Sequence, residues 1–295
     1  MRLRPALTTL AAVAVVLVGG AACTTAMSAA PGASAAPSRP DAAAAAVPAD
    51  VRKAGSLVVA SEIAYPPFEY YDDQKKPQGI DVDLAAALAD RMHLRLDFRN
   101  VAWDDLIPTV ADHKADAIMS GMTDNAERQK KLTYVDYLIE GSQVVAAKGN
   151  PEHITGIDGI CGKRVGLQAD TTQDDLAKAQ AALCVAAGRP KPVITRLGSG
   201  EAYPLVKAGK LDAVVDGYTS AAAQVKDGNG AFELAGVQVE ASPMGIGLAR
   251  DRTDLRHAVQ LALREIIADG TYLKILDKWG LKAEALTTAA IDGGV

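Results

Sequence analysis

Aromatic residues are scarce in this 295-residue chain, at 4%, and no run of basic residues occurs in it. With a formal charge of −5 the chain has no electrostatic reason to bind a phosphate backbone, so nucleic acid is discounted as a partner. The four histidines, His93, His113, His153 and His257, are scattered and share no metal-ligand spacing with any cysteine. The patterns G-x-S-x-G and H-E-x-x-H are absent, as is a phosphate-binding P-loop. The glycines of "GVQVEASPMGIG", Gly236 to Gly247, form no dinucleotide fingerprint. No cofactor or metal is therefore expected, and no poised nucleophile argues for catalysis. What remains is a half-hydrophobic composition suited to a globular protein of one or two domains.

Only three cysteines are present. Arg2 and Arg4 precede the apolar run "LTTLAAVAVVLV" and then "GGAAC", ending at Cys23, which is the pattern of a secretory signal over residues 1–23. Small residues before a cysteine resemble a bacterial lipobox, in which Cys23 is lipidated and anchors the protein to the outer face of the cell membrane. The alternative is cleavage a little later, near "ASAAPS". Residues Ser28 to Asp50 hold almost only Ala, Pro, Ser and Gly, a composition expected of a flexible tether, set over 24–54, with folding beginning near Gly55. Export places Cys161 and Cys184 in an oxidising compartment, where a disulfide between them is the expectation.

From Leu57 onward, short β-rich runs alternate with helical patterns, which indicates an α/β fold with mostly parallel sheets. Leu84, Leu88 and Met92 mark one helix at i, i+4 and i+8, with Asp81 and Asp83 where its N-terminal dipole favours anions. Leu255, Val259 and Ile266 mark a later helix; Gly270 breaks the stripe, and Tyr272, Ile275, Leu276 and Trp279 continue it on another. The segment "PTVADHKADAIMSG", Pro108 to Gly121, matches "PLVKAGKLDAVVDG", Pro204 to Gly217, in register. Two equivalent helix-turn-strand units imply two similar lobes. Ligands of open α/β sheets collect beyond the carboxyl ends of strands, so the site is expected between them.

"AYPPFEY" (64–70), "GIDVDLAAALA" (79–89), "WDDLIP" (103–108), "DAIMSGMTDNAER" (116–128), "VGLQADTTQ" (165–173) and "IIADGTYLKILDKWG" (266–280) occur in this order. Together they resemble the extracytoplasmic solute-binding proteins of ABC transporters, polar amino-acid group. The resemblance covers about Gly55 to Leu281. It implies a two-lobed periplasmic-binding-protein-like fold of type II, with two crossover strands and a ligand cleft between the lobes. The implied boundaries are lobe I over 55–143, lobe II over 144–240, the return of lobe I over 241–284, and a loose tail over 285–295. It further implies a monomeric receptor that captures an amino acid or similar solute and presents it to a membrane permease.

The same resemblance assigns roles at the site. Ser120, Gly121, Thr123 and Arg128 form a clamp for an α-carboxylate, a role suited to the planar guanidinium. By residue chemistry alone, Arg128 could equally pair with Glu127 or Asp124. Thr171 and Thr172 begin a helix whose free N–H groups suit the same anion, or they simply cap it. Tyr65 and Trp103 sandwich the ligand, while Phe68 belongs to the core. Glu62 falls where binders of basic amino acids carry an acidic group. Two departures from the family pattern stand out. The aspartate that usually holds the α-ammonium is replaced by Gly217, with Asp216 one residue early; either a bulge turns Asp216 into the cleft or the anchor is missing. Asp170 replaces a glycine and is a candidate to take over a cationic group. A dehydratase acting on arogenate-like acids, built on the same scaffold with Glu62 or Asp170 as acid, and a ligand sensor for a membrane signalling partner are the rival functions.

Overall fold

The computed structural model describes residues 41–294, so the signal segment and Cys23 lie outside the described residues. The elements are α1 (Ala42–Ala46), α2 (Ala49–Ala54), β1 (Ser56–Ser61), β2 (Tyr70–Tyr71), β3 (Pro77–Gln78), α3 (Ile80–Arg91), β4 (Arg95–Asn100), α4 (Trp103–Ala111), β5 (Ala117–Ile118) and α5 (Ala126–Gln129). They continue with β6 (Leu132–Ala147), β7 (Arg164–Gln168), α6 (Thr172–Ala186), β8 (Val193–Leu197), α7 (Ala202–Lys207), β9 (Ala213–Gly217), α8 (Tyr218–Asp227), β10 (Phe232–Ala249), α9 (Thr253–Ala268) and α10 (Thr271–Trp279).

Eight strands follow the order β4-β1-β5-β10-β6-β9-β7-β8. β1 pairs in parallel with β4 and β5 in lobe I, and β7 pairs in parallel with β8 and β9 in lobe II. The antiparallel pair β6 and β10 joins them, running from Phe232 opposite Ala147 to Ala249 opposite Leu132. These are the two crossover strands. Their ladder shifts register around Val239 to Ser242, opposite Glu140 and Ser142, which places the hinge there.

The internal repeat has a shared chemical purpose. In lobe I, Asp116 Oδ2 accepts the Val58 N–H at 2.8 Å; in lobe II, Asp212 Oδ2 accepts the Arg164 N–H at 2.7 Å. Each aspartate thereby pairs a backbone donor of the neighbouring parallel strand just before its own short strand begins. α4 with β5 and α7 with β9 are the two helix-turn-strand units.

Lobe I buries Leu84 and Leu88 of α3 and Met92 at its C-cap in one core with Leu255, Val259 and Ile266 of α9 and Tyr272 and Leu276 of α10. Lobe II has its own core around Val165, Leu167, Ala177 and Val215. Cys161 and Cys184 form a disulfide that ties α6 to the segment before β7.

Two expectations about the ends are corrected. Residues 42–54 do not behave as a tether: they form α1 and α2, and Ala43, Val47 and Val51 are buried in the lobe I core. Alanine is the best helix former, and these few apolar side chains find an apolar partner in α9. The tail over 285–294 is not loose. Ala289 is buried, Ile291 bridges to Val135, and Asp292 accepts the Tyr134 N–H at 2.7 Å. Gly294 donates to Asp124 at 2.9 Å and accepts from Gln129 at 2.9 Å, so the tail is strapped across β6 to the turn that carries α5.

Candidate ligand-binding site

The cleft between the lobes is built from strand exits. β1 leads into Glu62 and Tyr65, β5 into Ser120, Gly121 and Thr123, β7 ends at Gln168 ahead of the start of α6, and β9 carries Asp216 as its last residue but one. These residues, with Glu69, Trp103, Arg128, Gln173, Val215 and Met244, line a cavity of about 480 Å³ including its mouth.

Arg128 is held from several sides. The Asn125 side chain caps α5 by accepting the Arg128 N–H at 2.9 Å. Nη1 donates to the Thr123 carbonyl at 2.8 Å and Nη2 to the Asp170 carbonyl at 3.4 Å, and the guanidinium lies 5.3 Å from the Trp103 ring centroid. Burial lowers its pKa. The carboxylates that could have neutralised it are engaged elsewhere, Glu127 by Lys130 and Asp124 by Gln129 and Gly294. Among the described residues no carboxylate lies within ion-pair distance of Arg128, so a half-buried cation keeps donors for an anion in the cavity.

The Tyr65 ring stacks on Phe68, with centroids 5.4 Å apart and planes 10° from parallel. It also lies against Gly121, where a Cβ would come within 3.0 Å of the ring and where φ is +52°, so both space and backbone call for glycine. On the other lobe, Thr171 caps α6 by accepting the Asp174 N–H at 3.2 Å, which leaves the Thr172 hydroxyl facing Thr123 across the cleft at 3.4 Å. The cap and the proposed anion site thus use different parts of one turn.

Carboxyl groups dominate the opposite side. Glu62 Oε2 accepts from Gln168 across the cleft at 2.6 Å. Glu69 is fully buried, accepts from Ser120 at 3.0 Å, and sits beside Asp81, which accepts the Gly121 N–H at 2.8 Å. Burial, then the charge of Asp81, pushes Glu69 well above the usual carboxylate range, and burial moves Asp81 up to about 6. Asp216 is half-buried against Tyr65, at 3.0 Å, and Tyr203, at 2.8 Å, and desolvation raises its pKa. Behind it at the hinge, Glu140 accepts the Thr219 N–H, and burial pushes it up to about 8.

Residues 57–282 match the family of bacterial extracellular solute-binding proteins, family 3. The chain belongs to that family. The L-cystine-binding protein TcyJ of Escherichia coli strain K12 is 27% identical over 230 residues, 78% of this chain and 84% of that protein. The histidine-binding periplasmic protein of the same strain is 30% identical over 245 residues, 80% of this chain and 89% of that protein. Among solved structures, an ancestral arginine-binding protein bound to glutamine superposes with a TM-score of 0.70 at 33% identity, covering 77% of this chain and 98% of that one. An ancestral amino acid-binding protein that is a precursor of cyclohexadienyl dehydratase gives a TM-score of 0.71 at 29% identity, covering 78% and 97%.

In this solute-binding protein ten of the eleven residues singled out from sequence line the inner cavity: Glu62, Tyr65, Trp103, Ser120, Gly121, Thr123, Arg128, Thr171, Thr172 and Asp216. Asp170 does not. Its backbone carbonyl receives Trp103 Nε1 at 3.2 Å as well as Arg128, while its side chain borders an outer recess with Asp104, Glu127 and Asp175. Its φ of +55° explains both the family's glycine here and the turning away of the carboxylate. Sequence reasoning missed Gln168, although it is the last residue of a strand whose carboxyl end faces the cleft. Glu69 lay inside a quoted motif. Tyr203 and Glu140 gave no local signal, because only the fold brings them to Asp216 and Gly217.

Proposed function

We propose that the protein captures an amino acid or amino-acid-like solute between its lobes and delivers it, from outside the cytoplasm, to the permease of an ABC importer. The observation that carries this reading is Arg128: half-buried, stacked on Trp103, without a carboxylate partner among the described residues, and lining with Thr123 the cavity between the lobes. A carboxylate entering there takes the remaining guanidinium donors and the hydroxyls of Thr123 and Thr172. The relatives named for cystine and histidine support an amino-acid ligand.

Closure supplies the signal. Glu62 with Gln168, Tyr65 with Asp216, Trp103 with the Asp170 carbonyl and Ser199 with the Ala64 carbonyl all cross between lobes. A ligand that contacts both sides shifts the population toward this closed form, which a permease can recognise. Lipidation at Cys23 and a monomeric state complete the proposed receptor.

Capture without chemical conversion is part of the proposal. Glu69 is the carboxyl group in the cavity best suited to remain protonated, and it is fully buried behind Ser120, which donates to Oε1, while Oε2 has no hydrogen-bond partner among the described residues. A dehydratase forming an aromatic product from a cyclohexadienyl acid would announce itself by ultraviolet absorbance; a flat trace is expected. Thermal shift against amino acids and their derivatives, confirmed by calorimetry, tests binding, and a complete lack of response to carboxylates would overturn the reading.

A further inference from the structure

Position 217 is occupied in an unexpected sense. It carries glycine, yet a Cβ built there would lie 2.5 Å from the Tyr65 hydroxyl and 2.7 Å from Glu140 Oε2. The space that a longer side chain would need on lobe II is filled by a tyrosine from lobe I and a glutamate from the hinge. Tyr65 uses this space to reach Asp216.

The carboxylate of Asp216 is consequently engaged on both oxygens. Oδ1 accepts from Tyr65 at 3.0 Å and from the Gly217 N–H at 2.8 Å, and Oδ2 accepts from Tyr203 at 2.8 Å. Tyr203 is braced edge-on by Phe232, with ring centroids 5.4 Å apart, so its bond is fixed from behind. A carboxylate offers about four acceptor positions, and three neutral donors, one of them from the opposite lobe, occupy three of them. Glu62 differs. Gln168 holds only Oε2, and the other oxygen takes no hydrogen bond among the described residues.

Resting on the amino-acid reading above, we infer that the ligand is a carboxylic acid whose cationic group is remote from its carboxylate, an ω-amino or ω-guanidino acid, with no α-ammonium required. Arg128 receives the carboxylate and Glu62 the remote cation. Gly217 and Tyr65 are then specificity-determining residues, because together they remove Asp216 from service as an ammonium acceptor.

The test is calorimetry on matched pairs: L-arginine with 5-guanidinopentanoate, L-lysine with 6-aminohexanoate, L-ornithine with 5-aminopentanoate, and L-glutamine with 4-carbamoylbutanoate. In the best-bound cationic pair, the member lacking the α-amino group is expected to bind within about fivefold of its parent, since no buried acceptor is left unpaired by its absence. A site built around the α-ammonium would instead reject it by about a thousandfold or more. Asp216→Asn separates a structural role from an ammonium contact: it should lower affinity for both members of a pair by the same factor. Tyr65→Phe, by freeing Oδ1, should move preference toward the α-amino member. A parent that binds at least about a hundredfold more tightly, with Asp216→Asn erasing the difference, overturns the inference and leaves the amino-acid reading standing. So does tight binding confined to L-glutamine. Failure of every carboxylate in the panel overturns both.

Discussion

The Tyr65 hydroxyl lies 3.0 Å from Asp216 Oδ1, a hydrogen bond that joins the two lobes through side chains 151 residues apart in sequence. As a direct contact between the lobes it should favour the closed form in its own right. Replacing Tyr65 by Phe removes it while keeping the ring against Phe68 and Gly121. The closed population should fall, read as an increase in radius of gyration in solution scattering without ligand. An unchanged scattering profile would show that the bond does not hold the lobes together.

Arg128 should be the least replaceable residue of the cavity. Lysine keeps the charge but loses the planar fork and the stacking on Trp103. Arg128→Lys is expected to weaken ligand binding by about a hundredfold, and Arg128→Ala by more, since a charge-assisted hydrogen bond contributes about 1.5–3 kcal/mol. Calorimetry with the best ligand from the amino-acid panel checks this. Melting without ligand should change little, because no internal ion pair is lost.

Asp170 should be dispensable as an acid. Its carbonyl does the work at Arg128 and Trp103, and its backbone is left-handed. Asp170→Asn should leave affinity within about threefold, and Asp170→Gly should stabilise the protein by about 0.5–1 kcal/mol through relief of the positive φ. A large loss of affinity in the Asn variant would return the carboxylate to the binding site.

Glu140 makes stability depend on pH. Its folded-state pKa, about 8, lies above that of an unfolded glutamate, so the folded protein holds a proton that the unfolded chain has released. The stabilising contribution is present below about pH 4.5 and is lost as pH rises toward 8. Glu140→Gln, which keeps an acceptor for the Thr219 N–H, should flatten this decline and raise the melting temperature at pH 8 relative to pH 5. A wild-type melting curve insensitive to pH between 5 and 8 would count against the assignment.

The C-terminal strap should matter out of proportion to its length. Ending the chain after Glu284 removes the bonds from residues 292–294 to Tyr134, Asp136, Asp124 and Gln129 and uncovers the ground beneath Ala289. A loss of about 2–4 kcal/mol is expected from several net hydrogen bonds and the exposed apolar area. Chemical denaturation of the truncated protein measures it.

The two-lobed fold was legible because its signals are repeated and periodic. The stripe on α3, the twin segments ending at Gly121 and Gly217, and the glycines at strand exits all act locally. The cavity was legible where residues leave strands, as at Ser120, Arg128 and Thr172. What could not be read were orientations in turns and contacts between distant segments. Asp170 shares its motif with two cavity residues, yet one positive φ turns its carboxylate away. Asp216 lines the cavity without the bulge that one alternative required, since β9 pairs with β6 in regular register, and its bonds to Tyr65 and Tyr203 come from different lobes. The tail and α1 looked featureless because small residues carry little periodic signal, and a few of them buried in the right place suffice to hold a segment down.

The strap also bears on the order in which the protein becomes competent during synthesis. Lobe II has all its strands once the first part of β10 has emerged, whereas lobe I still awaits the rest of that strand, α9, α10 and finally residues 286–294. Asp124 and Gln129, at either side of the arginine arm, receive their last partners from Gly294. In a chain made from its N-terminus, the residues that brace the arm carrying Arg128 are therefore synthesised after both crossover strands and after α9 and α10.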